Sequence, residues 1–509
     1  MNKALKTVSG MFVIMMAAKL LGQLREIMLA GYYGTGDGAS AFLVASQIPL
    51  NFFDMVLGLA IVSAFVPVFN EYLQKDGKKI ADEFAGNFVG IVLLVSIVMI
   101  LFGVVFSKGI ISLLATGFDA ETAELASKLL IIMFPSLAFT AVAYSYAGIV
   151  QSYGEFKLPA AMSIASNITA ILYFLLFNKF AGIFGLSVAM LIGWGMQLLI
   201  LLPALLKFEY NFRISFNFAH PGMKKVYKLA LPILLSSWAQ PLNVMINTYL
   251  ASFIDGGNAV SYINYANKLY IIIVGVFTMS VTNLILPELS RLFADNNRNK
   301  SAEVIESALK SGILFIVPVM VTFLAYSYQI VEIVYMRGAF DNKSAIMTST
   351  ALFFYSFGML GYGLQEILNK TFYSMQNSVA PMKNAFLTIV VNVVLSFSLY
   401  RILGVGGLAL AAAVAATISA VNLLRLLKKN HNDVSFLPLG ITFIKAMISG
   451  AVAYAISKLV FGFSSGYANG LVGKFIVLAF STGILFVSYI LVLVILRTDE
   501  IKNLIKKKV

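Results

Sequence analysis

The side chains best suited to chemistry in this sequence are charged or amide groups set inside long apolar runs. The run near 7–30 carries Lys19, Arg25 and Glu26, and the run near 41–69 carries Gln47, Asn51 and Asp54. Asn243 and Asn247 fall near 226–252, Asn267 and Lys268 near 259–289, and Glu366, Asn369 and Lys370 near 345–375. A charge at the centre of a bilayer costs about 2.5–3.5 kcal/mol on insertion scales, so such a residue normally faces a water-filled cavity or a partner. Lys19 and Glu26 are two helical turns apart, while Arg25 lies one position around. Gln47, Asn51 and Asp54 are spaced four and three, again on one face.

The bases Lys19, Arg25, Lys268 and Lys370 outnumber the acids Glu26, Asp54 and Glu366. This balance predicts a hydrated, net cationic cavity for an anionic substrate, lined also by Gln47, Asn51 and Asn267. The structural alternative is ion pairs and interhelical hydrogen bonds that hold a bundle together, with Arg25 and Glu26 snorkelling to the interface. Asn243, Asn247, Asn369 and Asn384 could coordinate sodium or simply join helices.

Most enzymatic chemistry is unsupported. There is no cysteine, hence no disulfide, thiolate nucleophile or Cys-based metal site. The two histidines, His220 and His431, lie in polar, basic stretches far from a nucleophile motif. No phosphate-binding glycine loop or HExxH occurs, so hydrolysis of ATP is not expected. The reading is a non-enzyme without a cofactor, driven by membrane potential, Na+ or H+.

The elements that must position these groups are membrane spans. Hydrophobic residues make up 60% of the 509, charged residues 12%, about half the charged share of a soluble domain. Fourteen apolar segments are long enough to span, near 7–30, 41–69, 85–107, 124–151, 158–178, 184–206, 226–252, 259–289, 308–330, 345–375, 381–402, 405–427, 438–462 and 470–497. The second, eighth and tenth look long, which predicts tilt. No cleavage site follows the first run, so no removed leader is expected.

The net charge of +14 sits mainly in alternate loops, from Lys3 and Lys6 to Lys506, Lys507 and Lys508. Positive loops stay inside, which predicts two cytoplasmic termini in a bacterial cytoplasmic membrane. Contact with membrane lipids then accounts for the bases, and nucleic acid is not expected.

An internal repeat organises the spans. The landmarks Pro67/Pro287, Pro159/Pro381 and Gly185/Gly407 are separated by 220, 222 and 222 residues. Six spans per period predict two parallel lobes related by an axis along the membrane normal. We therefore expect an all-α polytopic protein: a lobe over 1–210 (helices 1–6), a second over 211–430 (helices 7–12), and two further helices with a basic tail over 431–509. Prolines such as Pro135 and Pro318 lie within or at the ends of apolar runs and predict kinks.

The stretches KLLGQLREIMLAGYYGTGDGASAFLVASQIP (19–49), AFVPVFNEY (64–72), ASFIDGGNAVSYINYANKL (251–269), YMRGAFD (335–341) and LNKTFYSMQNSVAP (368–381) together resemble the MurJ/MviN family of lipid II flippases. That family belongs to the multidrug/oligosaccharidyl-lipid/polysaccharide exporter superfamily. The resemblance runs nearly end to end. It implies export of an undecaprenyl-pyrophosphate-linked peptidoglycan precursor by alternating access, with the lipid tail in a groove along the two extra helices and cell-wall synthesis proteins as partners.

By the same resemblance, the family's two helix 1 bases fall on Lys19, where arginine is usual, and Arg25, and the acid after them on Glu26. The helix 8 arginine falls on Lys268 and the helix 10 arginine on Lys370. The family's acid after the first external loop falls on Ser40, and its basic pair in helix 2 on Phe53 and Asp54. Lysine lacks the bidentate phosphate contact of arginine, which leaves a flippase for another polyprenyl-linked glycan as an alternative. A cation-coupled drug antiporter is a second, against which the extra helix pair argues.

Overall fold

The computed structural model describes residues 3–49, 58, 61–237, 239–295, 297–431, 433–467 and 469–498. Asn51, Phe53 and Asp54 lie outside the described residues. The apolar runs fold as helices because a backbone in hydrocarbon must satisfy its own hydrogen bonds, and no strand occurs among the described residues.

The chain divides into two compact units, Met1–Ser261 and Tyr262–Val509. The first contains α1 (Lys3–Tyr33), α2 (Asp37–Gln47), α3 (Val66–Lys75), α4 (Lys78–Val105), α5 (Ser107–Leu114), α6 (Ala120–Met133), α7 (Ser136–Ser152), α8 (Lys157–Leu176), α9 (Asn178–Leu199), α10 (Leu202–Lys207), α11 (Pro221–Ser237) and α12 (Ala239–Ser252). Helix α13 (Ala259–Ala294) begins at the end of this unit. The second continues with α14 (Arg298–Tyr335), α15 (Asn342–Ser356), α16 (Met359–Ser374), α17 (Val379–Leu403), α18 (Val405–Asn430), α19 (Phe436–Ser464) and α20 (Gly470–Ile495).

Ten helices or helix pairs among the described residues are long and apolar enough to cross a membrane. An eleventh is formed if α15 and α16, bent 52° apart, make one span. The bend explains the long tenth segment. It falls at Gly358, where a Cβ would come within 2.5 Å of the Ala413 Cα in α18, so two backbones meet there and only glycine fits. The three other expected segments do not enter this count. The first is carried by α1; the second includes 50–57 and the seventh includes residue 238, which lie outside the described residues, and the rest of the seventh is carried by α11 and α12.

Prolines shape several spans. Pro135 separates α6 from α7 within one crossing, and Pro67 stands in the first turn of α3, after a π-helical turn over Ile61–Phe65. Pro318 lies inside α14 and cannot donate to the carbonyl of Leu314. The Tyr489 hydroxyl of α20 donates to that carbonyl at 3.0 Å, so a neighbouring helix supplies the missing bond.

The offset seen in the sequence recurs in the backbone. Left-handed φ values occur at Gly34 and Gly256, Gly154 and Gln376, and Gly182 and Gly404, each pair 222 residues apart. Asp119 and Asp341, also 222 apart, cap α6 and α15 by accepting from the Thr122 and Ser344 amides at 2.7 and 2.8 Å. The Ser344 hydroxyl, which also donates to Asp341 at 2.6 Å, and these amides hold the carboxyls below the usual carboxylate range.

Each unit has its own apolar core. In the first, Phe65 stacks on Phe84 and Phe88, with ring centroids 5.7 and 4.2 Å apart. In the second, α14 is covered by α16, α19 and α20 around Ile305, Leu309, Leu368, Ala446 and Leu485.

Candidate substrate-binding site

Helix α1 carries the first cationic group. The Arg25 Nη2 meets the Glu26 Oε1 at 2.7 Å, with side-chain exposures of 19% and 7%. The sequence placed Glu26 on the face of Lys19; the structure pairs it with Arg25 instead. Two helical turns put Lys19 about 10 Å further along the axis, beyond carboxylate reach, whereas a guanidinium spans the 100° between neighbours. Lys19 is half-buried and forms no ion pair among the described residues. Its turn is fixed from α8, where the buried Asn167 amide donates to the Ala18 carbonyl at 3.2 Å.

Gln47, at the end of α2, accepts a hydrogen bond from Thr248 of α12 at 2.8 Å. Ser40 and Ser261 have no exposure and share a hydrogen bond at 2.8 Å. At the place where the resemblance implies an acid, this chain thus has a hydroxyl whose partner is another hydroxyl. Asn243 and Asn247 are half-buried on α12.

The second unit holds the other predicted residues. Asn267 and Lys268 are half-buried on α13, and the Asn267 amide hydrogen-bonds the Tyr355 hydroxyl. Tyr270 lies against Tyr355 and Tyr362, with centroids 5.4 and 5.5 Å away. Tyr362, Glu366 and Lys370 follow at intervals of four along one face of α16. Glu366 is close enough to Lys370, Tyr362 and Tyr270 to act on each electrostatically, and the Lys370 ammonium lies 5.9 Å from the Tyr373 ring centroid. Sequence reasoning missed this tyrosine cluster. The available signal was phenol groups in apolar runs, since a buried Tyr hydroxyl needs a polar partner.

Among the sodium candidates, Asn384 has both ends of its amide engaged. It donates to Ser419 at 2.5 Å and accepts from Asn422 at 2.8 Å, which joins α17 to α18. Asn369 is half-buried on α16. No group of three or more His, Asp or Glu side chains among the described residues is arranged to hold a metal ion.

A groove of about 490 Å³ opens in the second unit. Its walls come from α14, α16, α18 and α19, including Leu309, Met320, Leu364, Leu424, Phe443 and Met447. A lining so nearly free of polar groups suits an alkyl or isoprenoid chain.

The sequence profile of the family described as "Lipid II flippase MurJ" matches residues 29–481. A "Probable lipid II flippase MurJ" from Buchnera aphidicola subsp. Schizaphis graminum is 27% identical over 419 residues, covering 82% of this chain and 81% of that one. One from Vibrio cholerae is 28% identical over 432 residues, covering 82% of each. Among solved structures, "Lipid II flippase MurJ, inward closed conformation" superposes with a TM-score of 0.81 at 24% identity, covering 96% of this chain and 99% of that one. An inward-facing multidrug resistance transporter of the MATE family superposes with a TM-score of 0.69 at 15% identity, covering 83% and 99%. These likenesses show that the fold is shared.

Proposed function

The chain belongs to the lipid II flippase MurJ family, and from that premise we propose that it moves a polyprenyl-pyrophosphate-linked peptidoglycan precursor from the inner to the outer leaflet of the cytoplasmic membrane. In this reading 14 spans form two six-helix lobes, over 1–210 and 211–430. Two further helices follow over 431–509, and both termini are cytoplasmic. The lobes alternate access to a shared cationic cavity.

The observation that carries the reading is the unequal treatment of two bases on α1. Arg25 is held by Glu26, while Lys19 has no ion pair among the described residues. A pyrophosphate loses most of its hydration on leaving water, and fixed donors must replace it. Glu26 uses one of the five guanidinium N–H groups and limits the cost of an empty charged site. The other Arg25 donors and Lys19 can meet phosphate oxygens, and Lys268 and Lys370 are the further bases of the proposed site. The tail stays in the bilayer and in the apolar groove. An inside-negative potential favours the outward step by about 2.3 kcal/mol per unit charge per 100 mV, so potential is the proposed drive, with Na+ or H+ as auxiliary couplings.

The test is a leaflet-accessibility assay for lipid II in proteoliposomes. The intact protein should speed its appearance in the opposite leaflet. Arg25→Ala should slow it roughly 10- to 100-fold, the loss of a charged hydrogen-bond donor. An Arg25→Ala variant of undiminished rate would remove Arg25 from the site, and no transport by the intact protein would sink the reading.

A further inference from the structure

Residues 209–220, between α10 and α11, form an extended strap that lies against α4. One edge is tied down. The Asn87 amide donates to the Asn217 carbonyl at 2.9 Å, while its oxygen accepts from the Asn217 amide at 2.5 Å and the Ser215 hydroxyl at 3.0 Å. The Asn211 amide donates to the buried Asp82 at 3.3 Å. The fit to α4 is close enough that a Cβ on Gly86 would stand 1.8 Å from the Arg213 carbonyl oxygen, and one on Gly90 2.2 Å from that of Ser215. Tyr210, buried among aromatic rings, anchors one end, and His220, stacked on Phe84 with centroids 5.6 Å apart, anchors the other.

The apolar edge is covered only in part: Phe212 meets Tyr146 and Tyr210 with ring centroids 5.9 and 5.0 Å apart, and the Ile214 Cγ2 lies beside Gly90 of α4. Phe212, Ile214, Phe216 and Phe218 alternate with polar residues along the strap, and they are 40%, 48%, 55% and 50% exposed. Four adjacent large apolar groups do not stay in water without a partner. The apolar surface continues on α4, where Leu94, Val98 and Leu101 are exposed in a membrane-spanning helix. Exposed bases flank the strap at Lys207, Arg213, Lys224 and Lys228, which matches the anionic headgroups that border such a layer.

We propose that the strap is a membrane-interface anchor that buries Phe212, Ile214, Phe216 and Phe218 in the acyl layer of the cytoplasmic leaflet. The leaflet named rests on the orientation proposed above. The strap holds itself on α4 through its polar edge and gives its apolar edge to lipid, without a helix and without spanning.

The absence of cysteine from the chain permits a direct test. Single nitroxides are placed by Ile214→Cys, Phe216→Cys and Phe218→Cys in the full chain. The protein is reconstituted into phosphatidylethanolamine/phosphatidylglycerol vesicles. The labels should gain collisions with oxygen and lose collisions with a polar nickel chelate, relative to Lys300→Cys. Labels as open to the chelate as Lys300→Cys, or closed to both reagents, would overturn the proposal. Orientation is read separately, by an impermeant maleimide on Lys300→Cys and Glu121→Cys in right-side-out vesicles. Labelling of Lys300→Cys from outside would overturn the cytoplasmic leaflet while leaving the depth result to stand or fall by itself.

Discussion

The strap before α11 and the corner before α19 are copies of one device in different surroundings. Ser215 and Ser435 are 220 residues apart, as are their contacts on the preceding long helix. The Ser215 amide donates to the Gly86 carbonyl at 3.4 Å, and the Ser435 amide to the Glu306 carboxylate at 2.5 Å. Yet Ile214 is 48% exposed and its counterpart Val434 is 3% exposed. The second copy is short. It turns at once into α19, which with α20 packs on α14 and closes over Val434, His431 and Phe436. Among the described residues no such helix pair closes over the first copy. The difference teaches that burial here is decided by what the following chain does, and that a peptide with the same β-branched residue, Ser and Phe in register is left exposed where no helix covers it.

The comparison breaks most severely at Gly86. Gly86→Leu has no room against the Arg213 carbonyl, so the strap must lift off. We expect a loss of about 3 kcal/mol, read as a lowered thermal midpoint in detergent together with new protease cleavage between 209 and 220. Glu306→Leu, at the equivalent position, loses one exposed hydrogen bond and should cost about 1 kcal/mol. Equal losses at the two positions would mean that the strap is not held as described.

A gentler contrast uses the paired apolar residues. Val434→Ser puts a hydroxyl into a closed site and should cost about 2 kcal/mol. Ile214→Ser should fall within about 0.5 kcal/mol in detergent. Equal midpoints for the two variants would refute the difference in cover.

The smallest effect is electrostatic. His431, at the end of α18, hydrogen-bonds Ser301 at 3.0 Å, and burial keeps its pKa below the ordinary value of 6.5. The unfolded chain therefore takes up this proton more readily than the folded one. Its contribution is present above about pH 6.5 and is lost as the pH falls through the lower folded value. The thermal midpoint of the intact protein should drop on acidification over that range, and His431→Gln should flatten the slope. An unchanged slope would show that His431 is not held neutral by its surroundings.

Much of this architecture was legible in the residues. Apolar runs marked the helices because hydrocarbon offers the backbone no other partner. The repeat was legible because the same turns need the same special residues, and Gly182 and Gly404 share a left-handed conformation. The Asp119 and Asp341 caps follow the same logic. The partners of the charges were less legible. Periodicity set Lys19 with Glu26, but side-chain length gave Glu26 to Arg25. The alternation at 211–218 was present in the sequence, yet in isolation it could equally have been a half-buried strand.

By itself, then, the sequence determined which segments are long apolar helices, where the chain repeats, and that bases outnumber acids within the apolar runs, since these follow from local composition and spacing. Tertiary structure alone decided how the Leu314 carbonyl freed by Pro318 is satisfied by Tyr489, and which copy of a repeated peptide is covered. Those outcomes depend on distances between residues remote in the chain, and no local pattern encodes them.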